Sequence, residues 1–109
     1  MKGAITIMIL GLMAAPAALA GGGDAALGKD VFMKHCAICH GPNGDGNGPM
    51  AKAYKLTPAV LSSKPVQALS DAEIHTIILK GKGKMEPVKG VSAEDITNVI
   101  AYVRSLAKK

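Results

Sequence analysis

The sequence predicts an all-α domain of three main helices joined by long loops. Asp24 can cap a first helix that runs to about His35. Ser70 and Glu73 form a capping box at the start of a second helix. Ser92 caps a third helix, with Asp95 in the reciprocal position, and the apolar residues behind it recur at helical spacing. No segment alternates apolar and polar residues as a half-buried strand does.

The segments between these helices are rich in glycine and proline. Residues 41–49 hold four glycines and two prolines, which predicts a loop. A short helix is expected over residues 50–56, and Pro58 and Pro65 predict another irregular stretch. Gly28 stands in mid-helix, where glycine costs about 1 kcal/mol against alanine, so we expect another helix to cross there closely. Loops this long are unusual in a small domain and indicate that the chain wraps something large.

The N-terminus has the pattern of a secretory signal peptide. A positive start at Met1-Lys2 precedes an apolar stretch over residues 5–19, which ends in small residues up to Ala20. This stretch is shorter than the roughly 20 residues that span a bilayer, which favours cleavage over retention as a membrane anchor. We therefore expect residues 1–20 to be removed after Ala20 on export to the periplasm, and residues 21–109 to form one domain.

Residues 21–109 supply few large side chains for a core: one Phe, two Tyr and no Trp. A domain of this size is marginally stable alone and usually gains stability from disulfides, a metal or a cofactor. Twelve Lys and Arg against eight Asp and Glu give these residues a formal charge of +4. That surplus suits acidic protein partners, or serves solubility alone. Nucleic acid is not expected as a partner, because Arg104 is the only arginine and no aromatic residues are interleaved with the lysines.

The five residues Cys36-Ala37-Ile38-Cys39-His40 match the C-x-x-C-H pattern of covalent haem attachment. Two thiols three positions apart lie on the same side of a helical turn, so they can bond the two vinyl groups of one porphyrin. We therefore predict one covalent haem c on Cys36 and Cys39, with its iron bound by His40. Three other uses are disfavoured: a disulfide in so small a loop stabilises little, a thioredoxin-like pair needs a preceding strand, and zinc needs four ligands.

The second axial position of the iron could be filled from outside the motif. The candidates are Met33, Met50, Met85, His35 and His75. Met85 is favoured, because its loop of lysines and glycines can carry a thioether to the far side of the haem, and Met/His ligation suits electron transfer. Met50 follows His40 closely and is better explained as an apolar filler of the core. His75 is the runner-up.

The sequence resembles the small class I bacterial cytochromes c from Gly28 to Leu106. The residues that carry the resemblance are Gly28, Phe32, the Cys36–His40 motif, Pro49, Met85 and Tyr102. The resemblance implies the small cytochrome c fold, in which three main helices and long loops wrap one attached haem. It implies that the first and last helices cross at Gly28 and at the aromatic pair Phe32 and Tyr102. It also implies, by position, that the Pro49 carbonyl accepts the free ring N–H of the proximal histidine.

The resemblance implies a monomeric one-electron carrier between redox proteins, not an enzyme. Lysines at positions 80, 82, 84 and 89 are expected to steer acidic partners towards the Met85 loop. Contact with a membrane is expected only through membrane-bound redox partners. Two alternatives stay open: a haem-based gas or redox sensor, and a dedicated electron-donor subunit of a single oxidoreductase.

Overall fold

The computed structural model describes residues 22–107, which form six helices. Their bounds are α1 Ala25–His35, α2 Ala37–His40, α3 Pro49–Ala53, α4 Lys64–Gln67, α5 Asp71–Lys80 and α6 Ala93–Ser105. Within these residues the one β-type pairing is a bridge between Lys82 and Met85, and the predicted all-α class is confirmed. None of the helices over residues 22–107 is long and apolar enough to cross a membrane. The predicted signal peptide at residues 1–20 lies outside the described residues and stays a prediction.

The crossing of α1 and α6 forms the centre of the core. Gly28 of α1 lies against the main chain of α6, where an added Cβ would collide with the carbonyl group of Asn98. Farther along the same two helices, Phe32 and Tyr102 pack with their ring centroids 5.1 Å apart and their planes tilted by 52°. Phe32 is only 1 % exposed. The close approach of the first and last helices, predicted from Gly28, is therefore confirmed.

Side-chain caps fix where the three longest helices begin. The Asp24 carboxylate accepts two main-chain N–H groups of the first turn of α1. Ser70 with Glu73, and Ser92 with Asp95, form capping boxes in which the hydroxyl and the carboxylate each accept one main-chain N–H. All three caps agree with the sequence prediction. They satisfy N–H groups that have no partner inside the helix and so fix where each helix begins.

Two segments differ from the sequence prediction. Helix α3 begins at Pro49, inside the predicted loop, because proline suits the first turn of a helix. It ends at Ala53, since Lys55 turns left-handed with φ +54°. The irregular stretch expected around Pro65 contains α4, in which Pro65 falls in the first turn, where its missing N–H leaves no helical bond unmade.

Polar side chains tie α6 to the connection between α4 and α5. The Arg104 guanidinium donates to the Asp71 carboxylate at 2.7 and 3.1 Å and to the carbonyls of Gln67 at 3.0 Å and Leu69 at 2.6 Å. The Gln67 side-chain amide donates to the carbonyl of Leu61 at 2.9 Å. The chain just before α4 is thereby fixed relative to α6, and this same stretch borders the candidate site.

Candidate haem-attachment site

The predicted attachment motif lies at the break between α1 and α2. Cys36 leaves the helical conformation with φ −120° and ψ −34°, and α2 then adds one short turn that ends at His40. The Cys36 carbonyl accepts the N–H groups of Cys39 at 3.2 Å and of His40 at 2.9 Å. This tight turn puts the two cysteines on one side with His40 directly after them, as thioether attachment at this spacing requires. Both cysteines are free.

The environment of Cys36 keeps its thiol protonated. Burial raises the pKa of the Cys36 thiol to about 11, and the neighbouring Cys39 contributes in the same direction. A thiolate is the reactive form in disulfide exchange and metal binding, so a raised pKa slows both. Among residues 22–107 no three His, Cys, Asp or Glu side chains converge as a metal-binding group, so the zinc alternative gains no support.

The glycine-rich loop folds back and straps the attachment turn. The N–H of Gly46 donates to the His40 carbonyl at 2.7 Å, and the N–H of Gly48 donates to the Cys39 carbonyl at 3.0 Å. A Cβ on Gly48 would collide with the Ile38 carbonyl, and Gly46 has φ +83°. Glycine is therefore needed here for close approach and for backbone conformation. Sequence reasoning identified this segment only as a loop, although four glycines directly after the motif were the available signal.

The ring of His40 faces the segment that precedes α4. Its Nδ1 lies 3.4 Å from the carbonyl oxygen of Ala59. Burial lowers the pKa of His40, and the contact with the Ala59 carbonyl partly offsets this. The sequence resemblance implied that the Pro49 carbonyl accepts from this ring, and in the structure the neighbour of Nδ1 is the Ala59 carbonyl. Pro49 instead opens α3, next to the glycine that straps the attachment turn. No side-chain pattern marks a main-chain acceptor such as Ala59.

Met85 lies at the end of a two-residue turn after α5. Lys82 and Met85 exchange main-chain hydrogen bonds of 2.8 and 2.9 Å across Gly83, which has φ +58°. A positive φ at the first central position alone is typical of a type II′ turn. The half-buried Met85 packs against the core cluster, as Cys36 does. Two segments far apart in the chain are thus brought to one apolar cluster, with a thioether from one and a thiol from the other.

The other candidates for an iron ligand occupy different places. Met33 is exposed on α1, and Met50 lies on α3, half-buried. His75 lines an open groove between α5 and α6, which none of the motif residues lines. His35 ends α1 with its ring near Gly90. Because His75 lies in a groove apart from the motif, it is a weaker candidate for the iron ligand than Met85.

The residues present fit a covalently bound haem. The two thiols are unpaired and lie on one turn, and Cys36 and Ala37 of that turn pack against the core. Further apolar side chains from several segments pack against the outside of the buried cluster and are themselves only half-buried. They are Val31, Val66, Leu69, Met85, Val88, Val91 and Leu106. An imidazole, a thioether and an apolar surround are the groups with which proteins hold haem.

Comparison with known proteins agrees with this reading. Residues 23–103 match the family described as cytochrome c oxidase, cbb3-type, subunit III. Cytochrome c-554(547) of Halothiobacillus neapolitanus is 33 % identical over 90 residues, which cover 77 % of this chain and 98 % of the relative. Cytochrome c6 of Rippkaea orientalis is 37 % identical over 105 residues, which cover 95 % of this chain and 88 % of the relative.

A solved structure, the KustC0563 c-type cytochrome, superposes with a TM-score of 0.64 at 26 % identity, covering 74 % of this chain and 98 % of that one. The fold of the described residues is therefore that of a small all-α cytochrome c, as the sequence resemblance implied. Together with the family match, these relatives show that the chain belongs to the small monohaem c-type cytochromes, electron carriers with one covalently bound haem c.

Proposed function

We propose that this protein is an exported one-electron carrier whose haem c is bound to Cys36 and Cys39, with His40 and Met85 as the iron ligands. The observation that carries the proposal is the packing of Cys36 and Met85 against the same buried cluster, although they lie on distant segments of the chain. A haem attached at the motif would therefore have the Met85 thioether within its apolar surround.

His40 is suited to be a fixed ligand. The contact of Nδ1 with the Ala59 carbonyl favours the tautomer that carries its proton on Nδ1 and leaves Nε2 free to bind iron. A hydrogen bond from Nδ1–H also strengthens the donation of the ring to a metal. The sequence resemblance gives this acceptor role to the Pro49 carbonyl, whereas the contact present in the structure is with Ala59.

Met85 is held by main-chain bonds on both sides of its position. The Lys82–Met85 pair fixes the turn before it, and the N–H of Val88 donates to the Ile78 carbonyl at 2.9 Å behind it. At Gly81 a Cβ would come within 3.0 Å of the ring of Pro87, so this loop runs tightly along the end of α5. The thioether is therefore offered from a stiff loop, which suits a ligand that stays bound in both redox states.

When bound, haem c supplies an iron that exchanges one electron reversibly. Two ligands that stay in place in both oxidation states keep structural rearrangement small, which favours fast transfer. A thioether ligand raises the reduction potential, as does apolar burial of the site. The relatives are electron-carrying cytochromes, so we propose a carrier and not an enzyme.

The sequence supports export to the periplasm and acidic redox partners. The signal pattern of residues 1–20 and the covalent attachment of haem both suit the periplasm. The surplus of lysines suits acidic redox partners, and a single copy of the chain holds every proposed ligand, so a monomer suffices. The family description favours one alternative, a dedicated electron-donor subunit of one oxidoreductase. Purification of the native protein from periplasmic extract as a free monomer would contradict that alternative.

The experiment that tests the ligand assignment compares Met85→Ala with Met50→Ala. In the oxidised wild-type protein we expect the weak far-red absorption band of a sulfur–iron bond. Met85→Ala should abolish this band and lower the reduction potential, because the thioether that favours reduced iron is gone. Met50→Ala, the matched control, should leave both unchanged. Loss of the band in Met50→Ala alone would move the ligand to α3, and a colourless wild-type protein would overturn the whole proposal.

A further inference from the structure

The acidic residues of this chain are distributed unevenly. All eight Asp and Glu lie outside residues 46–70, a segment that carries Lys52, Lys55 and Lys64. The lysines around Met85 are different. Lys82 lies close enough to Glu73 to stabilise its carboxylate, and Glu86 follows Met85 directly. Residues 46–70 are therefore the longest stretch of the chain without an acidic residue, whereas residues 80–89 carry four lysines and one acid.

This segment also exposes an aromatic side chain. Tyr54 is 67 % exposed, whereas Phe32 and Tyr102, the other two aromatic residues, are buried against each other. Tyrosine is enriched at the centres of protein–protein interfaces, because its large rigid ring gives contact area at a low cost in conformational entropy. A chain this poor in aromatic residues gains nothing for its core from a tyrosine in solvent.

The residue after Tyr54 has an unfavourable backbone conformation. Lys55 has φ +54°, and it is the one non-glycine residue with positive φ among residues 22–107. It follows α3 in a capping turn in which the N–H of Leu56 donates to the Ala51 carbonyl at 2.8 Å. Glycine is the usual residue at this position. Strain at such a position points to a use for the side chain that occupies it.

We propose that the exposed side chains of Lys52, Tyr54 and Lys55 form a docking surface for an acidic segment of a partner protein. It lies on the His40 side of the molecule, since the same stretch of chain continues to Ala59, whose carbonyl contacts His40. The acidic occupant follows from charge complementarity, and a membrane surface is disfavoured because α3 has only five residues and forms no interfacial amphipathic helix. The inference rests on the proposed carrier function only in making the partner a redox protein.

The test uses the full haem-loaded protein in its reduced state and, as probe, a short peptide of glutamates around a central leucine. Amide chemical shifts should change mainly over residues 52–55, and a peptide with glutamine in place of glutamate should bind far more weakly. Tyr54→Ser should weaken binding about fivefold, the effect of losing one interface anchor. Lys55→Gly should weaken it about threefold while raising the melting temperature, because it removes the charge and the backbone strain together.

The matched control is the double variant Lys82→Gln and Lys84→Gln, which removes the same kind of charge from the Met85 loop. It should change the affinity for the peptide less than twofold. A loss of affinity in this control, or none in Tyr54→Ser and Lys55→Gly, would overturn the docking surface. Binding of the wild-type protein to phosphatidylglycerol vesicles but not to the peptide would also overturn it. Neither result touches the carrier function, which fails instead if the wild-type protein shows no reversible one-electron couple.

Discussion

Replacing Gly28 by alanine sets two physical effects against each other. Gly28 lies in the interior of α1, so its replacement by alanine should stabilise the helix itself by about 1 kcal/mol. The new methyl group, however, would collide with the Asn98 carbonyl and approach the Val99 nitrogen to 2.9 Å. These are main-chain atoms of α6, which cannot rotate away as the end of a flexible side chain can.

The collision should decide the sign. Overpacking of a rigid core costs about 1–3 kcal/mol, and a contact with main chain belongs at the upper end of that range. The net loss in the free energy of unfolding is then about 2 kcal/mol. For a domain of this size 1 kcal/mol corresponds to about 4–8 °C, so the Tm should fall by about 8–16 °C.

Thermal unfolding of the haem-loaded protein, followed by circular dichroism of the helices, measures this change. The matched control is Lys29→Gly at the next, exposed position of α1, where loss of helix propensity alone should cost about 1 kcal/mol. A Gly28→Ala variant with a Tm equal to or above that of the wild type would refute the reasoning, because it would mean that α1 and α6 can separate without cost.

Three further predictions concern the site and its supports. Gly46→Ala should destabilise the protein by about 1–2 kcal/mol through its positive φ, and should raise the reduction potential by loosening the strap on His40, as voltammetry can measure. Arg104→Ala should lower the free energy of unfolding, measured in urea, by about 2 kcal/mol, because the carbonyls of Gln67 and Leu69 lose a charged donor. Its control Asp71→Asn removes only a partly exposed ion pair and should cost less than about 1 kcal/mol. Glu73→Gln should lower stability near neutral pH but not at acid pH, as urea midpoints across pH will test.

The sign of the last effect follows from the capping box. Hydrogen bonds from Ser70 hold the pKa of Glu73 below its ordinary value of 4.5, so the unfolded chain binds the proton more readily than the folded one. The stabilisation is complete above that ordinary value and is lost as the pH falls through the lower folded pKa. A difference between wild type and variant that stays constant below pH 4.5 would contradict the assignment.

The matched control for Gly46→Ala is Gly90→Ala. Gly90 has a comparable φ of +77°, but an added Cβ there would meet only a side-chain atom of His35 at 3.7 Å. It should therefore lose stability without any change of potential. Equal potentials in both variants would show that the strap does not act on the iron ligand.

The features that sequence predicted well are those encoded by side chains close together in the chain. The capping boxes at Ser70 and Ser92 are set by residues three positions apart, and the motif from Cys36 to His40 occupies a single turn. The helix crossing at Gly28 was also predictable, because a glycine in mid-helix has few explanations other than close packing. Local chemistry of this kind leaves a signature in the sequence.

What the sequence could not specify is the path of the loops, which is set by distant partners. Helix α4 forms beside Pro65 because Gln67 and Arg104 tie that stretch to α6, at separations of more than 30 residues. The contact of the His40 ring with the Ala59 carbonyl left no mark in the sequence, because every residue possesses such a carbonyl group. Such a contact does not depend on the type of amino acid, so the sequence cannot predict it.

Around the attachment turn, side chains and main-chain groups therefore have different roles. In the proposed site the side chains of the motif bind the cofactor, and bonding chemistry fixes their identity. Main-chain groups position them: the carbonyls of Cys39 and His40 are held by Gly48 and Gly46, and the loop is held in turn by the Leu61 N–H, which donates to the Gly44 carbonyl at 2.9 Å. Glycines matter in this loop because, without a side chain, they let the main chain of the loop pack directly against the main chain of the attachment turn. The loop thus supports the main chain of Cys39 and His40, the residues to which the proposed site assigns the cofactor.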